Sequence, residues 1–124
     1  MSLLRFYGEQ GRPLPLRVRP CETFRCRLRG LMFRRTIAGD EGLFFVEAQS
    51  GRLATAIHMF FVPFPIGVLW LDEEGRVVDK VIARPWRIYV PKAAARYYLE
   101  GPPALVSWVE EGERLRWEPL PASS

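Results

Sequence analysis

The chain has 124 residues, 48% of them apolar and 13% aromatic, which is the size and make-up of one domain with one core and excludes a disordered chain. Its net charge of +4 is unevenly spread: residues 1–35 carry nine arginines against Glu9 and Glu22, and the rest carry nine basic against twelve acidic groups. That asymmetry suits an anion-binding face, and equally a surface on which basic and acidic parts meet after folding.

Eleven prolines and ten glycines keep periodic runs short, which favours short strands over long helices. In chain order, residues 3–7 and 14–19 read as strands around a Gly-Arg-Pro turn, with Arg17 and Arg19 on one face and Leu16 and Val18 on the other. Residues 21–30 read as a short helix. Pro20 suits its start, Phe24, Leu28, Leu31 and Met32 recur at helical spacing, and Gly30 is a natural stop. Strands follow at 42–47 and 55–61. Residues 66–72 and 76–84 form the clearest hairpin, with Asp72-Glu73-Glu74-Gly75 as its loop and Gly75 free to take positive φ. Residues 84–90 read as a short edge strand between Pro85 and Pro91. "KAAARYYLE" fits a helical turn or a loop leading into a strand. "ALVSWVE" and "ERLRWEP" read as two closing strands, and "PLPASS" as a loose tail.

These elements predict an all-β, mainly antiparallel fold: a single-domain sandwich or partly closed barrel over residues 1–118, with one short helix near 21–30 and a tail at 119–124. Cys21 and Cys26 are the only cysteines, and with no histidine near them they cannot complete a zinc site. Two cysteines make no disulfide framework for a domain of this size, so they read as reduced thiols in a cytoplasmic protein. The start has no apolar signal-peptide core. The longest apolar run, 56–71, is broken by His58, Pro63 and Pro65 and is too short to span a bilayer. The sequence points to no metal and no cofactor, and nothing in it sets an oligomeric state. Sixteen arginines to two lysines, with no asparagine, fit a warm-growing source or a high-GC genome.

His58 is the chain's only histidine. Alternation over 55–61 puts Ile57, Met59 and Phe61 on one face and Ala56, His58 and Phe60 on the other. A strand apolar on both faces is normally central and covered. His58 is then a packed ring with a hydrogen-bond partner, or a polar contact in a pocket wall. A lone histidine lacks the partners that base catalysis requires, so no catalytic residue is assigned. No serine sits in a nucleophile elbow and no glycine cluster has phosphate-loop spacing. A small hydrolase or transferase would need His58 beside Cys26 or Asp72. Nucleic-acid binding through the basic N-terminal third would need arginines interleaved with exposed aromatics. Phe6, Tyr7, Phe24 and Phe33 alternate with polar residues as core-facing side chains do, which argues against it.

Several stretches together resemble the "domain of unknown function 192" family over residues 14–118. Arg29, Gly30, Leu31 and Met32 in "RLRGLMFR" match its Arg-Gly-Leu-Met signature, and "GLFFV" (42–46) resembles its Gly-Met-Leu-Phe-Val strand. Met59, Pro65, Ile66, Asp72 and Gly75 match a segment that often reads Trp-Met-Lys-Asn-Thr, then Pro-Leu-Asp, then Asp-x-x-Gly. Leu99, Glu100 and Gly112 match closing elements. The resemblance implies a compact β-rich domain and no established reaction. Here Phe60-Phe61 replace the family's Lys-Asn, Gly67 replaces its aspartate, and His58 stands where many relatives have Trp. The leading expectation is a non-enzymatic domain that binds a small molecule or a protein partner at a surface around Arg29, His58, Met59 and Asp72. Arg29 would supply a planar fork for a carboxylate or phosphate.

Overall fold

Strand-forming residues and frequent turns give nine strands in the computed structural model, which describes residues 3–23, 26 and 29–120. They are β1 (Leu4–Tyr7), β2 (Arg17–Cys21), β3 (Glu41–Gly51), β4 (Ile57–His58), β5 (Ile66–Leu71), β6 (Val77–Ala83), β7 (Ile88–Tyr89), β8 (Ala95–Gly101) and β9 (Arg116–Pro119). A short helix, α1 (Leu105–Trp108), separates β8 from β9, and a 3-10 turn (Glu9–Gly11) follows β1. Seven strands form one sheet in the order β6-β5-β8-β3-β2-β1-β9, and β4 and β7 pair separately. All pairings are antiparallel except β2 with β3. That parallel pair requires the long crossover of residues 22–40, which carries the family signature.

The sheet has a packed core on each face. On β5 the side chains alternate: Ile66, Val68 and Trp70 join Leu43, Phe45 and Met59 on one face, while Leu69 and Leu71 join Phe6, Phe44 and Leu99 on the other. Every residue of β5 is buried, as a strand covered on both faces demands. Val77 N–H donates to the Glu113 carbonyl at 2.9 Å and Leu115 N–H to that of Gly75 at 2.9 Å. The two ends of the sheet thus curl toward each other without closing a barrel. The β5–β6 hairpin forms as the sequence indicates, with Gly75 at φ 85°.

Other elements differ from the expectation. The strand expected at 55–61 shrinks to β4, because the chain turns at Phe61, whose φ is 62°. "KAAARYYLE" supplies most of β8, a central strand between β5 and β3. "ALVSWVE" is not a strand: Pro102 and Pro103, which lack N–H groups for a ladder, precede the N-cap Ala104, and Leu105 N–H donates to the Pro102 carbonyl at 2.9 Å. Lys80 Nζ then donates to the carbonyls of Val106 and Val109, at 2.8 Å each, and caps the helix end.

Within 21–30, Cys26 and Arg29 are helical and Gly30 stops the turn at φ 49°, while Phe24, Arg25, Arg27 and Leu28 lie outside the described residues. Thr23 Oγ1 accepts the Cys26 N–H at 3.0 Å, as an N-cap does. Cys21 and Cys26 are joined in a disulfide rather than reduced. They therefore no longer argue for a reducing compartment. β9 runs through Pro119 and Leu120 N–H donates to the Leu3 carbonyl at 2.7 Å; the rest of the tail, 121–124, lies outside the described residues.

Candidate functional site

Three separated segments converge over the face of the sheet that carries Trp70. The crossover supplies Arg29, Gly30, Leu31 and Met32, held at one end by the Cys21–Cys26 disulfide. At the other end Arg34 makes a two-pronged contact with Glu41, 2.8 Å for one prong, which holds the Glu41 carboxyl below its usual range. The second segment, residues 55–62, is fixed from below, where the Trp70 indole N–H donates to the Thr55 carbonyl at 2.7 Å. β7 clamps it from the side: Met59 N–H donates to the Arg87 carbonyl at 2.7 Å, and Trp86 N–H to that of Met59 at 2.9 Å. Phe33 N–H donates to the Phe61 carbonyl at 2.8 Å and ties the first two segments together. The third segment is β8. Tyr98 and Glu100 point to this face because strand side chains alternate, and Leu99 points to the other.

The three segments, with Phe45 of β3 and Ile66 of β5, line a partly open cavity of about 110 Å³. Arg29 and His58 are exposed at its rim, and Leu31, Phe45, Ile57, Met59 and Val62 supply the apolar part of its wall. Met59 is only 1% exposed. Glu100 also lines the cavity and is only 8% exposed. Among the described residues its carboxyl has no hydrogen bond and no ion pair, and burial pushes it up to about 7.

The structure thus brings Arg29, His58 and Met59 to one cavity and leaves Asp72 out of it. Asp72 Oδ1 accepts the N–H groups of Glu74 at 2.9 Å and Arg76 at 3.0 Å, which closes the hairpin loop. His58 is exposed, contrary to the covered strand expected for it. Its Nδ1 accepts the Phe60 N–H at 3.2 Å, which puts the ring N–H at Nε2, and its ring stacks on Phe60 with centroids 5.1 Å apart. The pairing of His58 with Cys26 or Asp72 that a hydrolase would need is not formed: Cys26 has no thiol, and Asp72 is engaged in its own turn.

Sequence reasoning missed Glu100 as a site residue. The available signal was the alternation of Tyr98, Leu99 and Glu100, which puts an acid on an inward face. It also read Phe33 as core-facing, whereas Phe33 is 63% exposed. Phe33, Phe61 (47%) and Trp86 (60%) form an exposed cluster beside the cavity, with Phe33 stacked on Phe61 and Trp86 edge-on to it at 5.0 Å. All three have positive φ, at 66°, 62° and 68°. Aromatic residues rarely adopt that conformation, and the surrounding hydrogen bonds hold them in it.

The family model for DUF192 (Uncharacterized ACR, COG1430) matches residues 7–117. The chain belongs to the DUF192 family. Its DUF192 relatives include a UPF0127 protein of Thermococcus kodakarensis, 43% identical over 83% of this chain and 66% of its own. A UPF0127 protein of Thermococcus gammatolerans is 46% identical over 78% and 63%, and one of Pyrococcus furiosus 36% identical over 87% and 92%. The chain spans slightly less than two thirds of the length of the two Thermococcus relatives. Two crystal structures share the fold. A protein of Sinorhizobium meliloti 1021, described as a "putative transcription regulator", superposes with a TM-score of 0.78 at 24% identity, over 94% of this chain and 92% of its own. A protein of unknown function from Novosphingobium aromaticivorans superposes at 0.73 and 20% identity, over 93% and 84%. The DUF192 family is uncharacterised, and no activity comes with membership. Among the described residues no helix is long and apolar enough to cross a membrane, and no group of three or more His, Cys, Asp or Glu is arranged to hold a metal ion.

Proposed function

We propose that this domain is a binding module that takes a small molecule in the cavity walled by Arg29, His58 and Met59. The observation that carries the reading is the convergence of three distant segments on one partly enclosed space, lined by apolar side chains and by Arg29, His58 and Tyr98, with a buried Glu100 carboxyl in its wall that has no partner among the described residues. A volume of about 110 Å³ suits a small ligand or a small headgroup. A thermal-shift screen tests it. A true ligand at about one hundred times its Kd stabilises the fold by about 2.7 kcal/mol, several degrees for a domain this size. The Ala56→Phe variant, which fills the cavity mouth from a half-buried wall position, loses that shift. A compound that stabilises both proteins equally sits elsewhere, and a screen in which every hit behaves so refutes the reading.

A specific observation supports a second reading, contact with a single-stranded nucleic acid. Exposed Phe33 and Trp86 lie on chain segments that also carry exposed Arg29, Arg35, Arg84 and Arg87, exposed Phe61 stacks on Phe33, and segments 29–35, 57–62 and 84–90 contain no acid. Stacking platforms among cations are what such a strand uses. Titration with labelled single strands at low salt tests it, with affinity expected to fall steeply as salt rises. Absence of binding at low salt removes it.

A further inference from the structure

We propose that the cavity receives a small zwitterion, with its ammonium group against Glu100 and its anionic group against Arg29. This deepens, and rests on, the reading of the cavity as a ligand site. Two opposite charges line one cavity of about 110 Å³, yet no ion pair joins them. Glu100 sits in the wall at 8% exposure, and Arg29 stands exposed at the rim. Neither side chain has a hydrogen-bond or ion-pair partner among the described residues. Among the described residues His58 and Tyr98 are the other titratable groups lining the space, and the remaining lining residues are apolar or glycine.

A buried carboxyl without a partner is costly in its charged form. A primary ammonium supplies both the opposite charge and three donors. A simple amine would answer Glu100 but leave Arg29 as a like charge at the mouth. A simple carboxylic acid would answer Arg29 but set its apolar end against Glu100. A molecule with both groups a few bonds apart answers both, and the planar guanidinium matches a carboxylate with two parallel bonds. The volume limits the separation to a short chain, which makes β-alanine a suitable probe.

Calorimetric titration at pH 8 with β-alanine, ethylammonium and propionate tests the assignment. The wild-type protein is expected to bind β-alanine at least tenfold more tightly than propionate. Glu100→Gln is expected to lose at least tenfold for β-alanine. Arg29→Ala, at an exposed position that leaves folding intact, is expected to erase the advantage of β-alanine over ethylammonium. Propionate binding as well as β-alanine, or unchanged affinity in Glu100→Gln, overturns the proposal. Should Glu100→Gln fail to fold, the order of the three probes on the wild type and on Arg29→Ala decides. If none of the three probes binds while another compound stabilises the wild type and not Ala56→Phe, the zwitterion falls and the cavity reading stands. If no compound does so, both fall.

Discussion

Glu100 makes stability depend on pH in a calculable way. Its carboxyl is raised by burial from 4.5 to about 7. A raised carboxyl pKa means the folded state holds its proton more tightly than the unfolded chain does. The stability this contributes is fully present below pH 4.5 and is lost as pH rises through about 7. At about 1.4 kcal/mol per unit, the loss across that window is about 3 kcal/mol. Replacing Glu100 by Gln removes the titrating group while keeping its size. Urea unfolding of both proteins at pH 4.5, 6 and 8 measures the effect, because other titrating groups cancel in the difference. The wild type is expected to weaken relative to Glu100→Gln by about 3 kcal/mol between pH 4.5 and 8. Parallel pH profiles would refute the argument, since they would mean that Glu100 titrates alike in the folded and unfolded states.

Three further outcomes follow from the geometry. Reducing the Cys21–Cys26 disulfide, which spans five residues, is expected to cost about 2 kcal/mol by chain entropy and to loosen the Arg29–Met32 wall. Urea unfolding with and without reductant checks it, and identical midpoints contradict it. Gly67→Ala would set a methyl 2.6 Å from the Pro102 carbonyl oxygen and 3.0 Å from Leu105 Cβ, so a loss of about 2 kcal/mol is expected, read as a lower Tm; an unchanged Tm contradicts it. Asp72→Ala breaks two turn bonds and is expected to cost about 1 kcal/mol while leaving ligand affinity unchanged. A loss of affinity without a loss of stability would put Asp72 back in the site.

The hairpin of β5 and β6 was legible because alternation, the Asp-Glu-Glu-Gly loop and a long apolar first strand all agree. The stop at Gly30 was legible for the same reason, since helical spacing and a left-handed residue coincide there. α1 was hidden because "ALVSWVE" alternates as a strand does, and only the preceding prolines and the Lys80 cap favour a helix. His58 was misjudged because an apolar run was taken for a covered strand. Within 55–61 only Thr55, Ile57 and Met59 are buried, and the chain reverses at Phe61. The family resemblance puts Asn at that position, a residue that tolerates φ near 62°, so the Phe here keeps the turn at a strain cost that its neighbours' bonds must offset. The cavity joins residues 29–32, Phe45, 56–66 and 98–100, and no local pattern announces that meeting. Arg29 and Met59 came from the family signature, whereas Glu100 needed the strand assignment of "YYLEG", which the local sequence left open.

The most direct test of the central claim is the methyl spectrum of the methionines. Met32 and Met59 line the cavity. Titrating the best thermal-shift ligand into protein labelled at methionine methyl groups is expected to move both signals along one saturable curve, with the larger change at the buried Met59. A ligand that saturates the protein while leaving both signals in place would contradict the account.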